Sequence, residues 1–207
     1  MTLTGQMSVE ETRPASDDAL AARRAMIDSQ LRPSGVNEPR VLAAFMRVAR
    51  EDFVPEAVRA AAYMDRAVTL QDGRALAAPL VHGQMLQEAV PAAADKTLVV
   101  GHNGYLGALV APMVGSLDCV APEQAAGGNG NDYSLILIDG AIEQLPAGIA
   151  AQLAENGRLV TGVVENGVTR LAVGRKVNGT VALMPVSDMG IPVLPEFAAP
   201  KRWSFAG

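Results

Sequence analysis

Gly101, Gly104 and Gly107 recur every third residue directly after an apolar run at 97–100, and a helical stretch follows from Tyr105. A buried strand that passes through a glycine turn into a helix can hold a nucleotide or cofactor. Glycine lets the backbone approach the ligand, and the helix start offers free N–H groups. The spacing here is G-x-x-G-x-x-G, not the G-x-G-x-x-G of dinucleotide sites, and parallel α/β proteins need glycine at such turns for purely structural reasons, so both readings stand. A ribose site would add a carboxylate at the end of the next strand. That strand ends Val120-Ala121-Pro122-Glu123, with alanine at the first suitable position. Glu123 either reaches back past the proline or is an ordinary loop residue. His102, Asn103, Tyr105 and Asp139 are the polar candidates for the mouth of a cleft. Asp139 follows an apolar strand and can serve a ligand or cap the turn at Gly140. His102 can act as a base or face solvent, His82 reads as a surface or packed residue, and Cys119, inside a strand, reads as inert core. One cysteine and two histidines exclude an internal disulfide and a cysteine-cluster metal site, and no metal ligands are assigned.

The elements that must position these residues follow from periodicity and punctuation. Residues 1–15 lack a sustained period and read as a flexible tail. Ser16 can cap a first helix with Asp17 and Asp18 in its positive first turn, a stripe of Leu20, Ile27 and Leu31, and a stop at Pro33 and Gly35. Asn37 can cap a second helix that buries Val41, Leu42, Phe45, Met46 and Val48; residues 56–62 form a short third, and 81–90 a fourth that ends at Pro91. Residues 64–80 follow no single period. From Lys96 the pattern changes to short apolar runs: strands at 97–100, 117–121 and 133–138, with helices at 105–113 and 146–155 between or after them. That alternation predicts a mostly parallel sheet with helices on both faces. Strands at 158–164, 168–173 and 180–184 are joined by Asn166-Gly167 and Asn178-Gly179, which predict two antiparallel hairpins at the end. The expected organisation is one domain, 16–207, with an N-terminal helical part at 16–95 and an α/β core at 96–207.

Only eleven residues, 122–132, separate the strand ending at Ala121 from the one starting at Tyr133. They can cross a sheet edge in an extended path, at roughly 3.3 Å per residue, but cannot also build a helix and a further strand. The sheet is therefore expected to lack one parallel edge strand and its helix, with 122–132 as an irregular link. Composition narrows the function classes. The net charge is −5, and between 75 and 157 Lys96 is the only basic residue beside eight acidic ones, which argues against nucleic acid. No apolar run approaches the ~18 residues of a membrane span, and the polar start lacks a secretory pattern, so the cytoplasm is the expected compartment.

The order of elements and several phrases resemble the protein-L-isoaspartate O-methyltransferases. The phrases are Met26-Ile27-Asp28-Ser29-Gln30-Leu31-Arg32, Arg40-Val41-Leu42-Ala43-Ala44-Phe45, Arg50-Glu51-Asp52-Phe53-Val54-Pro55-Glu56 and Ala62-Tyr63-Met64-Asp65-Arg66. Val99-Val100-Gly101 with Gly104-Tyr105, and Leu135-Ile136-Leu137-Ile138-Asp139-Gly140-Ala141, are similar to the glycine motif and the fourth strand. The resemblance implies a Rossmann-like methyltransferase fold, S-adenosylmethionine as cofactor, methyl transfer to isoaspartyl carboxyl groups, and cofactor contacts from Gly101, Asn103, Gly104, Tyr105 and Asp139. The chain departs from the family pattern where the chemistry lies. Ala77 stands where the family has a hydroxyl residue, Asn103 stands near a family glycine, Ala121 replaces the ribose-binding acid, and the adenine-side helix and strand are missing. Such departures imply an impaired S-adenosylmethionine site, with no catalytic residue assigned and a role in binding a protein, peptide or small molecule. The alternative is an active enzyme on isoaspartyl groups.

Overall fold

The computed structural model describes residues 17–127 and 132–200; the expected tail, the Ser16 cap and part of the 122–132 link lie outside the described residues. Helix α1, Asp17–Met26, runs into a π turn at Ile27–Leu31 and a 3-10 turn at Arg32–Ser34. Gly35, at φ 89°, ends it where proline and glycine were expected to. Helix α2, Pro39–Arg47, buries Val41, Leu42, Ala44 and Phe45. Its start corrects the expected cap at Asn37. Glu38 holds the cap position without a side-chain bond, and Pro39 occupies the first turn, where a missing N–H leaves no intrahelical bond unmade. Gln87 Oε1 accepts from the Asn37 and Glu38 N–H groups, at 3.1 Å each, which satisfies this entry from outside the helix.

After 3-10 turns at Arg50–Phe53 and Glu56–Ala61 come the two-residue strands β1, Val68–Thr69, and β2, Ala75–Leu76, paired antiparallel. Helix α3, Pro79–Ala89, leads to β3, Lys96–Val100. Then follow α4, Tyr105–Val110, β4, Ser116–Val120, α5, Pro122–Ala125, β5, Tyr133–Ile142, α6, Ala147–Gln152, β6, Leu153–Glu165, β7, Val168–Val177, and β8, Thr180–Asp188. The main sheet has the order β4-β3-β5-β6-β7-β8, parallel as far as β6 and antiparallel beyond. Both terminal hairpins turn on Asn-Gly pairs with φ of 52° and 78°, and of 50° and 76°, the left-handed pair that a two-residue hairpin needs.

Strand alternation splits the core in two. Val99, Leu135, Leu137 and Val160 face the helices α2, α3 and α4, while Leu98, Val100, Ile136, Ile138 and Leu159 pack with Ile149, Leu194 and Phe197 on the other face. Strand β4 lies outside this double cover. Ser116, Asp118 and Cys119 are exposed and Leu117 and Val120 half-buried, so Cys119 is not the core residue its strand context suggested. Strand type alone suggests an apolar setting; what exposes the residue is the absence, among the described residues, of any element beyond β4. The link itself holds one turn of helix, α5, instead of a wholly irregular path, and among the described residues no strand separates α5 from β5. Two further bounds differ from expectation. Helix α6 ends at Gln152, because Leu153 is fully buried beside Tyr133 as the first residue of β6. Strand β5 runs on to Ile142 through a register shift between Leu137 and Ala141. The segment after β8 returns along β5, with Ala141 N–H donating to Pro192 O at 2.7 Å and Leu194 N–H to Ala141 O at 2.8 Å.

Candidate functional site

From β3 the chain crosses to β4 on one side, while β5 lies on the other. The crevice at the carboxyl ends of β3 and β5 is thus the topological switch point, where open α/β sheets bind ligands. A cavity of about 440 Å³ lies there, lined by His102 and Asn103 after β3, Asp139 on β5, Leu70, Gly73, Arg74 and Ala75 of the β1–β2 hairpin, and Pro192–Glu196 of the returning segment. Its size suits a small ligand.

Each glycine of the 101–107 motif has a structural cause. A Cβ on Gly101 would come within 2.9 Å of Asp139 Cβ, so this glycine lets β5 approach the end of β3. Gly104 has φ 76° and starts α4, and a Cβ on Gly107 would meet Cys119 Sγ at 2.8 Å, where α4 rests on β4. Each glycine thus answers a turn or a close packing contact.

Asp139 sits at the register shift of β5, and such irregularities re-aim a side chain. Its carboxylate is 10% exposed, and Oδ1 lies 2.8 Å from His82 Nε2. His82 is fully buried on α3. Arg50 Nη1 lies 3.5 Å from His82 Nδ1, and a guanidinium only donates, so Nδ1 accepts and Nε2–H donates to Asp139. Arg50, itself fully buried, also donates to Ala62 O at 2.6 Å and Ala77 O at 2.5 Å, and its guanidinium lies 5.0 Å from the Tyr105 ring centroid. Burial pulls this guanidinium below its ordinary pKa, against the opposing pull of Tyr105 and the Asp139 charge. The chain Arg50–His82–Asp139 thus fixes the orientation of one carboxylate at the cavity wall.

The rim is built differently. Arg74 reaches Asp72 at 3.2 Å, Glu123 at 2.8 Å and Glu196 at 3.5 Å, and His102 Nε2 lies 3.2 Å from Glu196 Oε1. Glu123 does reach back to the cleft mouth, where it pairs with Arg74; its pKa is held below the usual carboxylate value by its own backbone N–H, with Arg74 and His102 adding to the effect. Ligand atoms of His102, Glu123 and Glu196 fall within 4.8 Å of one another, but Arg74 already supplies the positive charge among the two carboxylates. Asn103 Oδ1 accepts from Tyr105 N–H at 2.9 Å, which leaves its buried Nδ2 without a partner. Tyr105 is fully buried, edge-on to Phe45, Phe53 and His82, and supports the cluster without lining the cavity. Ala77 is 2% exposed, its carbonyl held by Arg50.

The structure thus brings Asn103, His102, Asp139 and Glu123 to one crevice. Sequence reasoning missed Arg50, Arg74 and Glu196. Arg50 stands inside a family-like phrase, which was a usable signal; Arg74 and Glu196, 122 residues apart, meet only through the fold.

Comparison with known proteins agrees with this architecture. Residues 21–127 match the family described as Protein-L-isoaspartate(D-aspartate) O-methyltransferase. A protein-L-isoaspartate O-methyltransferase of Herpetosiphon aurantiacus is 32% identical over 165 residues, covering 67% of this chain and 74% of the relative. Another, from Koribacter versatilis, is 30% identical over 193 residues, covering 80% and 87%. A Plasmodium falciparum structure of the same family name, solved with S-adenosyl-L-homocysteine, superposes with a TM-score of 0.67 at 17% identity, over 86% of this chain and 98% of that one, which shows a shared fold. With its N-terminal phrases, its sheet order and its switch-point cleft, the chain belongs to the protein-L-isoaspartate O-methyltransferase family.

Proposed function

We propose that this member of the family has an impaired S-adenosylmethionine site and works by binding a ligand in the switch-point cleft. The observation that carries this reading is the edge of the sheet. Strand β4 is an edge strand among the described residues, exposed or half-buried along its length, and the one-turn helix α5 is all that they place between it and β5. A nucleoside held beyond the end of β4 needs an acceptor for its ribose and a wall for its base. Ala121 offers no side-chain acceptor, and Glu123, two residues on, has one carboxylate oxygen held by Arg74. With alanine at position 121 and, among the described residues, no strand beyond β4, the nucleoside end of the cofactor lacks the acceptor and the wall it needs. Methyl transfer depends chiefly on positioning, so loss of that grip removes the reaction while the fold survives.

A second reading, an active methyltransferase on isoaspartyl groups, is favoured by the named activity of the relatives and by the placement of the cavity at the strand ends. Methyl transfer to an isoaspartyl peptide, measured for the parent and for Ala77→Ser, separates the two. If only the hydroxyl is wanting, the variant gains methyl transfer to an isoaspartyl peptide. Ala77 is buried and its backbone is held by Arg50, so a serine there meets the protein interior and not the cavity. The expected result with labelled S-adenosylmethionine is no turnover by the parent or the variant; turnover by the parent, or a clear rise in the variant, overturns the proposal.

A further inference from the structure

The polar atoms that face the cleft differ in what they have already spent. Asp139 is nine-tenths buried and aimed at the cavity, with Oδ1 committed to His82. Among the described residues no donor reaches its Oδ2. Glu196 is 17% exposed; its Oε1 takes His102 and Arg74, while Oε2 is buried with no partner. Asn103 contributes one buried unpaired N–H₂ group.

The cations near the cleft are occupied. Arg50 lies behind His82 and serves two carbonyls, and Arg74 on the rim serves Asp72, Glu123 and Glu196. The wall thus offers unused acceptors on two carboxylates and one amide donor, with an apolar lining from Leu70, Ala75, Val193 and Leu194. A buried acceptor left unpaired, as Glu196 Oε2 is, is costly, and a carboxylate brought against Asp139 and Glu196 is repelled. A charged donor satisfies both demands.

We propose that the cleft selects a protonated amine at the end of a short apolar stem and rejects a carboxylate, with Asp139 as the residue that decides. This rests on the reading of the cleft as a ligand site. It extends that reading by turning the preferred charge away from an isoaspartyl carboxylate. His82 and Arg50 act as positioning residues: by fixing Oδ1 they leave Oδ2 for the ligand.

Three probes of one shape, n-butylammonium, n-butanol and butyrate, test this by nuclear magnetic resonance titration of the full chain. Fragments of this size bind at best in the millimolar range, about 1–10 mM. The amine should shift Asp139, Asn103 and Leu194 signals and bind roughly tenfold more tightly than butyrate, the factor expected for one charge-assisted bond. Asp139→Asn retains an oxygen for the His82 N–H and should erase that preference. Equal or tighter binding of butyrate, no binding of the amine at the cleft, or an undiminished preference in Asp139→Asn overturns the proposal.

An acetylated, amidated Ala-Lys-Ala peptide, with norleucine in place of lysine as its control, distinguishes a protein side chain from a free amine. Either source satisfies the proposal, the tighter one identifying it. Tight binding of S-adenosylmethionine would refute the impaired-site reading yet leave the order of the three probes intact, so the two ideas fail separately.

Discussion

The N-terminal helical part and the β4 edge of the sheet are built in opposite ways. On the N-terminal side, the family-like phrases interlock through buried polar groups. Arg23 bonds Tyr63 Oη at 3.0 Å, Met46 O at 2.7 Å and Glu51 at 3.2 Å, Tyr63 Oη donates to Glu51, and Gln30 reaches Tyr63 O at 2.9 Å. Burial, reinforced by Glu51, pushes the Tyr63 hydroxyl up to about 12. Arg50 closes the same part onto Ala62, Ala77 and His82. At the β4 edge, the strand has no outer neighbour among the described residues and exposes most of its side chains. A buried network is hard to prune piecemeal, since each lost partner leaves another group unsatisfied. An outer strand and its helix can be lost together, because the strand inside them becomes a new edge. The family-like phrases thus lie in the interlocked N-terminal part, beside a sheet that among the described residues ends at β4.

The comparison breaks most visibly at Arg50. Arg50→Met removes the donor of two buried carbonyls and the partner of His82, and should lower unfolding stability by about 3 kcal/mol in chemical denaturation. A loss under about 1 kcal/mol would mean the N-terminal part is not held as described.

An intermediate effect is expected at the amino-terminal end of β3. Asp95 is 5% exposed; burial opposes its charge, but Arg158 Nη2 at 2.6 Å, Ser134 Oγ at 2.7 Å and the Ala92 N–H outweigh burial and hold its pKa below the ordinary value. A depressed folded-state pKa gives stability that is present above the unfolded value, about 3.9, and is lost as pH falls through the folded one. Arg158→Met should therefore cost stability at pH 7 and flatten the acid limb of a pH–stability curve. A variant that retains the parent's full acid dependence would remove Arg158 from the account.

The smallest effect belongs to the open edge. Cys119→Ser on β4 should change stability by no more than about 0.5 kcal/mol, as at an ordinary surface position. A cost above about 2 kcal/mol would show that β4 is covered in solution and that the two regions are more alike than described.

Much of this contrast was legible in the sequence. The eleven residues between Ala121 and Tyr133 bounded the sheet, and the two Asn-Gly pairs located its antiparallel end. What stayed hidden depended on distant partners or competition between neighbours. Strands β1 and β2 are two residues each, too short to show a period. His82 gained its role from Asp139, 57 positions away, and Cys119 lost its expected cover because of what is missing beyond it. Helix α6 ended early because burial of Leu153 in β6 outweighed local helical pattern.

The central claim, that the β4 edge can no longer hold the family's methyl donor, is tested most directly by isothermal calorimetry with S-adenosylmethionine and S-adenosylhomocysteine. Each unmade bond to a buried ligand group costs about 1–3 kcal/mol, so loss of the ribose acceptor and base wall moves a micromolar site into the millimolar range or beyond detection. Millimolar or undetectable binding of both compounds is the predicted result; a dissociation constant below about 10 μM for either, about −7 kcal/mol, would contradict it.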